Sequence, residues 1–110
     1  MRIVVSILAI LFGLLHIIAA ITQLQSKDSS AKGIGALMAC GSVELISVAC
    51  VHMSSEGRAS WLTAACAIIG FAIICYAAYA NGKRAGNVHL SHHAIRGGIA
   101  ALLVICLAIW

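Results

Sequence analysis

The chain has 110 residues, 63% of them hydrophobic and 9% charged, with no proline and a mean hydropathy of +1.08. Soluble domains run at about 45–50% apolar and about 25% charged, and one small core cannot bury this much apolar surface. Disorder is excluded by the same richness in aliphatic residues. Seven Lys and Arg against three Asp and Glu give a formal charge of +4. The composition is that of a small integral membrane protein.

Crossing the hydrocarbon takes about 20 apolar residues at about 1.5 Å each. Ile3 to Gln23 supplies the first such run, Gly33 to Met53 the second and Trp61 to Ala80 the third. The fourth clean run, Ile99 to Trp110, is too short alone, so its helix is predicted to begin near His89 and to carry Arg96. Arg2 followed by an apolar run also has the outline of a signal peptide, with a loose cleavage pattern at Ala20-Ile21-Thr22. About 19 apolar positions are long for that role, and the run is read as a span. The predicted fold is a single all-α domain over residues 1–110, a four-helix transmembrane bundle in up-down order.

The connections, Leu24 to Lys32, Ser54 to Ser60 and Asn81 to about Ser91, are rich in Ser, Asp, Asn and Gly, the residues of turns and caps. Short links force neighbouring helices to lie antiparallel. Lys27, Lys32, Lys83, Arg84 and Arg96 gather on the side of the first and third loops, against Arg2 and Arg58 on the other. The excess predicts those loops in the cytoplasm of a cell membrane and both termini outside. Trp61 and Trp110 mark one interface, Tyr76 and Tyr79 the other. The five cysteines (Cys40, Cys50, Cys66, Cys75 and Cys106) lie in apolar stretches without C-x-x-C spacing and are expected to pack as small hydrophobes.

In lipid, helices associate through small residues and a few polar contacts. Read at helical spacing, the first helix offers Ser6, Ala9, Gly13, His16, Ala20 and Gln23, and the second Gly33, Ala36, Cys40, Glu44 and Ser47. The third offers Thr63, Ala67, Gly70 and Ala77, and the fourth His89, His93, Arg96, Ala100 and Val104. Along the helix axes His16 lies about 11 Å, Glu44 about 16 Å and Arg96 about 8 Å from the same membrane face. A lone charge there costs roughly 2.5–3.5 kcal/mol, so Glu44, Arg96 and His16 are predicted to form one buried polar cluster.

That cluster points to a non-enzymatic protein binding or conducting a small polar or ionic species, with proton or cation coupling. An alternative is an accessory or structural subunit that transports nothing. A third is a metal or haem protein: His89 and His93, four apart, together with His92, offer imidazoles to a divalent cation, and His16 with a rim histidine offers axial ligands to haem. No cofactor is required by the sequence. Lys83 and Arg84 are placed for anionic lipid headgroups, and His52 for the opposite interface. Association into a homo-oligomer, or with a larger membrane partner, is expected along faces such as Gly97-x-x-x-Ala101.

No phosphate-binding loop, dinucleotide fingerprint, nucleophile elbow or zinc-protease motif occurs. The basic residues also lack the interleaved aromatics of nucleic-acid binders. In length and helix count the chain is similar to the small multidrug resistance transporters, which work as dimers around a membrane carboxylate. Their essential glutamate lies in the first helix, whereas the sole membrane carboxylate here is Glu44 in the second, so no residue role is carried over.

Overall fold

A computed structural model describes residues 1–55 and 60–110 and consists of four α-helices. They are α1 (Arg2–Leu24), α2 (Ser29–Ser54), α3 (Ser60–Arg84) and α4 (Leu90–Ile109). All four are long and apolar enough to cross a membrane. The bundle is elongated, 45 × 25 × 18 Å. Arg58, counted in the charge balance, and the middle of the second connection lie outside the described residues.

Local chemistry sets the helix ends. Asp28, in extended conformation, accepts a hydrogen bond from the Ser30 amide at 2.9 Å, which caps α2 and starts it four residues before the predicted Gly33. α3 likewise runs four residues past Ala80. It stops in a paired C-terminal motif, with Asn87 N–H donating to the Gly82 carbonyl (2.9 Å) and Gly86 N–H to that of Lys83 (3.2 Å). Gly86 sits at φ +71°, a conformation open to glycine at little cost. His89 is the extended residue before α4.

The helices pack in antiparallel order. Ser6 meets His52, Gly13 meets Ile46 and Ser42, and Gly35 meets Ala20 and Gln23, so α1 and α2 run in opposite directions. Gly41 of α2 lies against Gly70 and Ile73 of α3. Without side chains these glycines let the backbones approach closely, the favoured packing where lipid removes any hydrophobic preference between helices. The α1–α2 and α2–α3 interfaces are extensive, α3–α4 is smaller and α1–α4 thin. Val5, Ala9, Phe12, Leu45, Phe71, Ile74, Leu103 and Leu107 form the main core, and Ala20, Met38 and Ala77 a second cluster. Leu15, Ile18, Ile95 and Leu102 are exposed on the outside, the surface a bilayer would cover.

The predicted faces of α1 and α3 agree with the observed burial of Ser6, Ala9, Gly13 and Ala20, and of Thr63, Ala67, Gly70 and Ala77. The face of α2 does not. Its buried residues are Ala31, Gly35, Met38, Gly41, Ser42, Leu45, Ala49 and His52, while Gly33, Ala36, Cys40 and Ser47 are exposed and Glu44 is half-buried. Small residues occur all round α2, and its rotation is decided by where a missing side chain meets a facing backbone. Cys40 and Cys50 are exposed rather than packed, and Cys66, Cys75 and Cys106 are half-buried; all five are free thiols.

Candidate functional site

Three buried residues anchor α4: Ala100, Leu103 and Leu107. Between Leu90 and Ile99 none is buried, so this half stands off from its neighbours and leaves a hollow of about 220 Å³ against the end of α3. Ala78, Asn81 and Gly82 of α3, Asn87 of the loop and His89, His92, His93 and Arg96 line it. The His89 carbonyl accepts the amides of His92 (3.1 Å) and His93 (3.3 Å), which turns the chain into α4 and sets Arg96 one turn deeper. The His89 and His92 rings lie 5.4 Å apart, and the His93 ring meets Tyr79 edge-on at 5.8 Å.

Arg96 is half-buried, and among the described residues it makes no hydrogen bond or ion pair. It lies close enough to act electrostatically on His16 of α1 and Cys75 of α3. His16 Nδ1 donates to the Phe12 carbonyl at 2.7 Å. A carbonyl only accepts, so Nδ1 carries a proton in this contact. The His16 ring stacks on Phe12 at 4.4 Å, and Phe12 meets Phe71 at 5.2 Å.

His16 of α1 thus feels the charge of Arg96 of α4 without a direct contact, while Glu44 stands apart. It has no hydrogen bond or ion pair among the described residues. α2 shares its main interfaces with α1 and α3, so Glu44 and Arg96 stand on diagonally placed helices, and the expected three-way cluster does not close. Nor do the rim histidines form the expected pair. His89 precedes the helix in extended backbone, so His89 and His93 share no helical face. Among the described residues no three His, Cys, Asp or Glu side chains are grouped to hold a metal ion.

Of the two residues expected at lipid headgroups, Lys83 is exposed. Arg84 instead reaches Asp28 at 3.0 Å and Asn81 Oδ1 at 3.3 Å, tying the end of α3 to the first loop. Asp28 is held below the usual carboxylate range, first by the Ser30 amide, then by the Ser30 hydroxyl and Arg84.

A second polar group occupies the opposite end of the bundle. Arg2 Nε donates to the Trp110 carbonyl at 2.9 Å, and its Nη1 donates to the Ser55 carbonyl. His52, expected at the interface, is 1% exposed between α1 and α2. Its Nδ1 hydrogen-bonds Ser6 Oγ at 3.1 Å, and among the described residues its buried Nε2 has no partner of normal geometry, with the Leu107 backbone as polar neighbour. The signal was present in the sequence: Ser6 and His52 lie at matching depths of an antiparallel hairpin. Asn81 reaches the rim because α3 runs on past Ala80, and Asn87 because the Gly86 turn folds it back onto Gly82, neither of which hydropathy marks.

The chain matches no family model, and no curated protein or solved structure matches it. The arrangement therefore stands on its chemistry: among the described residues, one guanidinium, three imidazoles and two carboxamides surround a small hollow lined by no carboxylate.

Proposed function

We propose that this chain is a non-enzymatic membrane protein that binds a small anionic group in the rim hollow. Arg96 supplies the fixed charge, and His89, His92, His93 and Asn81 supply donors around it. One observation carries the reading: a half-buried guanidinium without an ion pair or hydrogen bond among the described residues, facing a hollow lined by no carboxylate. A charge kept at that depth is expensive, and a bidentate oxyanion is the partner that guanidinium geometry suits best. The same reading puts the first and third loops in the cytoplasm, where the Lys and Arg excess belongs.

Titration of the full chain in detergent with inorganic phosphate tests it. Binding that falls about tenfold or more in Arg96→Gln, the loss of one charge-assisted contact, supports the reading. Equal binding by wild type and variant overturns it.

A second reading, proton or cation coupling through Glu44, is favoured by that half-buried carboxylate at mid-span without a partner among the described residues. Proton or cation flux into proteoliposomes that Glu44→Gln abolishes would support it, and flux unchanged by the variant would end it.

A further inference from the structure

Beneath the rim hollow, along the same α3–α4 seam, runs an apolar groove of about 410 Å³. Phe71, Ala72 and Cys75 of α3 face Gly97, Ala101 and Val104 of α4 across it. The two hollows abut. Arg96 lines the polar one and its chain neighbour Gly97 the apolar one, while Ala78 and Cys75, one turn apart on α3, do the same from the other side. A Cβ on Gly97 would meet nothing within 4 Å, so open space and not a packed neighbour lies over the groove.

The groove extends from Gly97 to Ile105, about 12 Å along the helix. One leaflet of hydrocarbon is about half of a 30 Å core, so the groove follows most of one leaflet. A cationic hollow above an apolar slot of that length matches a molecule with an anionic head and a hydrocarbon tail. A free oxyanion would leave the slot unused, a lipid without phosphate would leave Arg96 unpaired, and a zwitterionic headgroup would bring its cation to a hollow whose described lining holds a guanidinium and no carboxylate.

We infer that the α3–α4 seam is a site for one anionic phospholipid, with its phosphate on Arg96 in the rim hollow and an acyl chain along the groove below. The inference rests on the anion-binding reading above and gives that site its ligand class. Gly97 and Ala101, small on the open side of α4, serve to admit the chain.

The test uses the full chain in detergent micelles doped with equal phosphatidylglycerol and phosphatidylcholine, with retained lipid counted by native mass spectrometry. Wild type is expected to keep one phosphatidylglycerol in preference to phosphatidylcholine, and Arg96→Gln to lose that preference by about tenfold. Ala101→Trp and Gly97→Leu fill the groove from two open positions, so one serves if the other fails to fold, with helicity checked by circular dichroism. Each is expected to lose the retained lipid while binding inorganic phosphate as wild type does. Groove-filled variants that keep the phosphatidylglycerol overturn the lipid site and leave anion binding standing. Phosphate binding unaffected by Arg96→Gln removes the anion reading itself. A shift from oligomer to monomer on filling the groove, seen by light scattering, means that a second copy covers the seam, and the lipid assignment falls.

Discussion

Ser6 Oγ of α1 and His52 Nδ1 of α2 lie 3.1 Å apart, both buried, and join the ends of the first helix hairpin. The bond matters because, among the described residues, His52 Nε2 has no hydrogen-bond partner. Removing the Ser6 hydroxyl strands both nitrogens away from water, the costly half of any hydrogen-bond exchange.

Ser6→Ala is therefore expected to destabilise the folded chain by about 0.6–1.7 kcal/mol, between the average and the largest value for side-chain hydrogen bonds inside membranes. Ser6→Ala combined with His52→Leu should recover part of that loss, since no polar atom is then left unpaired. Denaturant unfolding in mixed micelles, run as a double-mutant cycle, measures both. Additive losses in the double variant would show that the two side chains are not coupled.

Close backbone approach at Gly41 gives a second expectation. A Cβ there would meet Ile73 Cγ2 at 2.9 Å and the Gly70 carbonyl at 3.0 Å, and a backbone atom cannot swing aside. Gly41→Ala should cost about 1–3 kcal/mol by overpacking. Gly33, where an added Cβ meets nothing within 4 Å, is the matched control. Gly33→Ala should be stabilising by about 0.4–1 kcal/mol through reduced freedom of the unfolded chain. Thermal unfolding of the two variants should shift in opposite directions.

The Asp28 cap predicts a defined acid response. Its carboxyl is held below the usual range, mainly by the Ser30 amide, so the folded chain takes up that proton less readily than the unfolded chain. The stabilisation is complete above the ordinary carboxylate range, about pH 4, and is lost as pH falls through the lowered folded value. Asp28→Asn keeps a capping oxygen and removes the titration. Stability plotted against pH should show a smaller acid loss for the variant, and curves that run parallel would remove Asp28 as a cause. The Arg84 contribution is exposed and should fade with added salt.

Gly86, at φ +71° with open space around it, isolates a pure backbone effect. Gly86→Ala should cost about 1–2 kcal/mol, the strain of a left-handed residue with a Cβ. The loss should be local. Amide exchange at Asn81 to Arg84 should quicken as the end of α3 frays, with the α1–α2 hairpin unchanged. Uniform acceleration through all four helices would show that the turn is coupled to the whole bundle.

Hydropathy alone carried the four spans, because hydrocarbon accepts only segments that satisfy their own backbone hydrogen bonds. It carried the inward faces of α1 and α3 as well, where Ser6, Ala9, Gly13 and Ala20, and Thr63, Ala67, Gly70 and Ala77, are buried at helical spacing. Helix ends were harder to place. The Asp28 cap and the Gly86 turn lie in the polar stretches recognised as loops, yet each lengthens its helix by four residues, since a cap determines where a helix stops and hydropathy only where lipid does.

What residue order by itself determined is therefore the number of helices, their up-down sequence and the order of the polar groups along each, set by the length and hydropathy of the apolar runs. Tertiary packing decided the rotation of α2, which left Glu44 at a flank and drew His52 inside, because the close fit of Gly13, Gly35 and Gly41 against facing backbones outweighs the pull of a single carboxylate. It also decided that α4 stands off from α3 at one end, so that Arg96 and the rim histidines surround a hollow. Order along a helix is a one-dimensional property of the chain; which side chains meet across the bundle depends on contacts between helices that no single stretch of sequence contains.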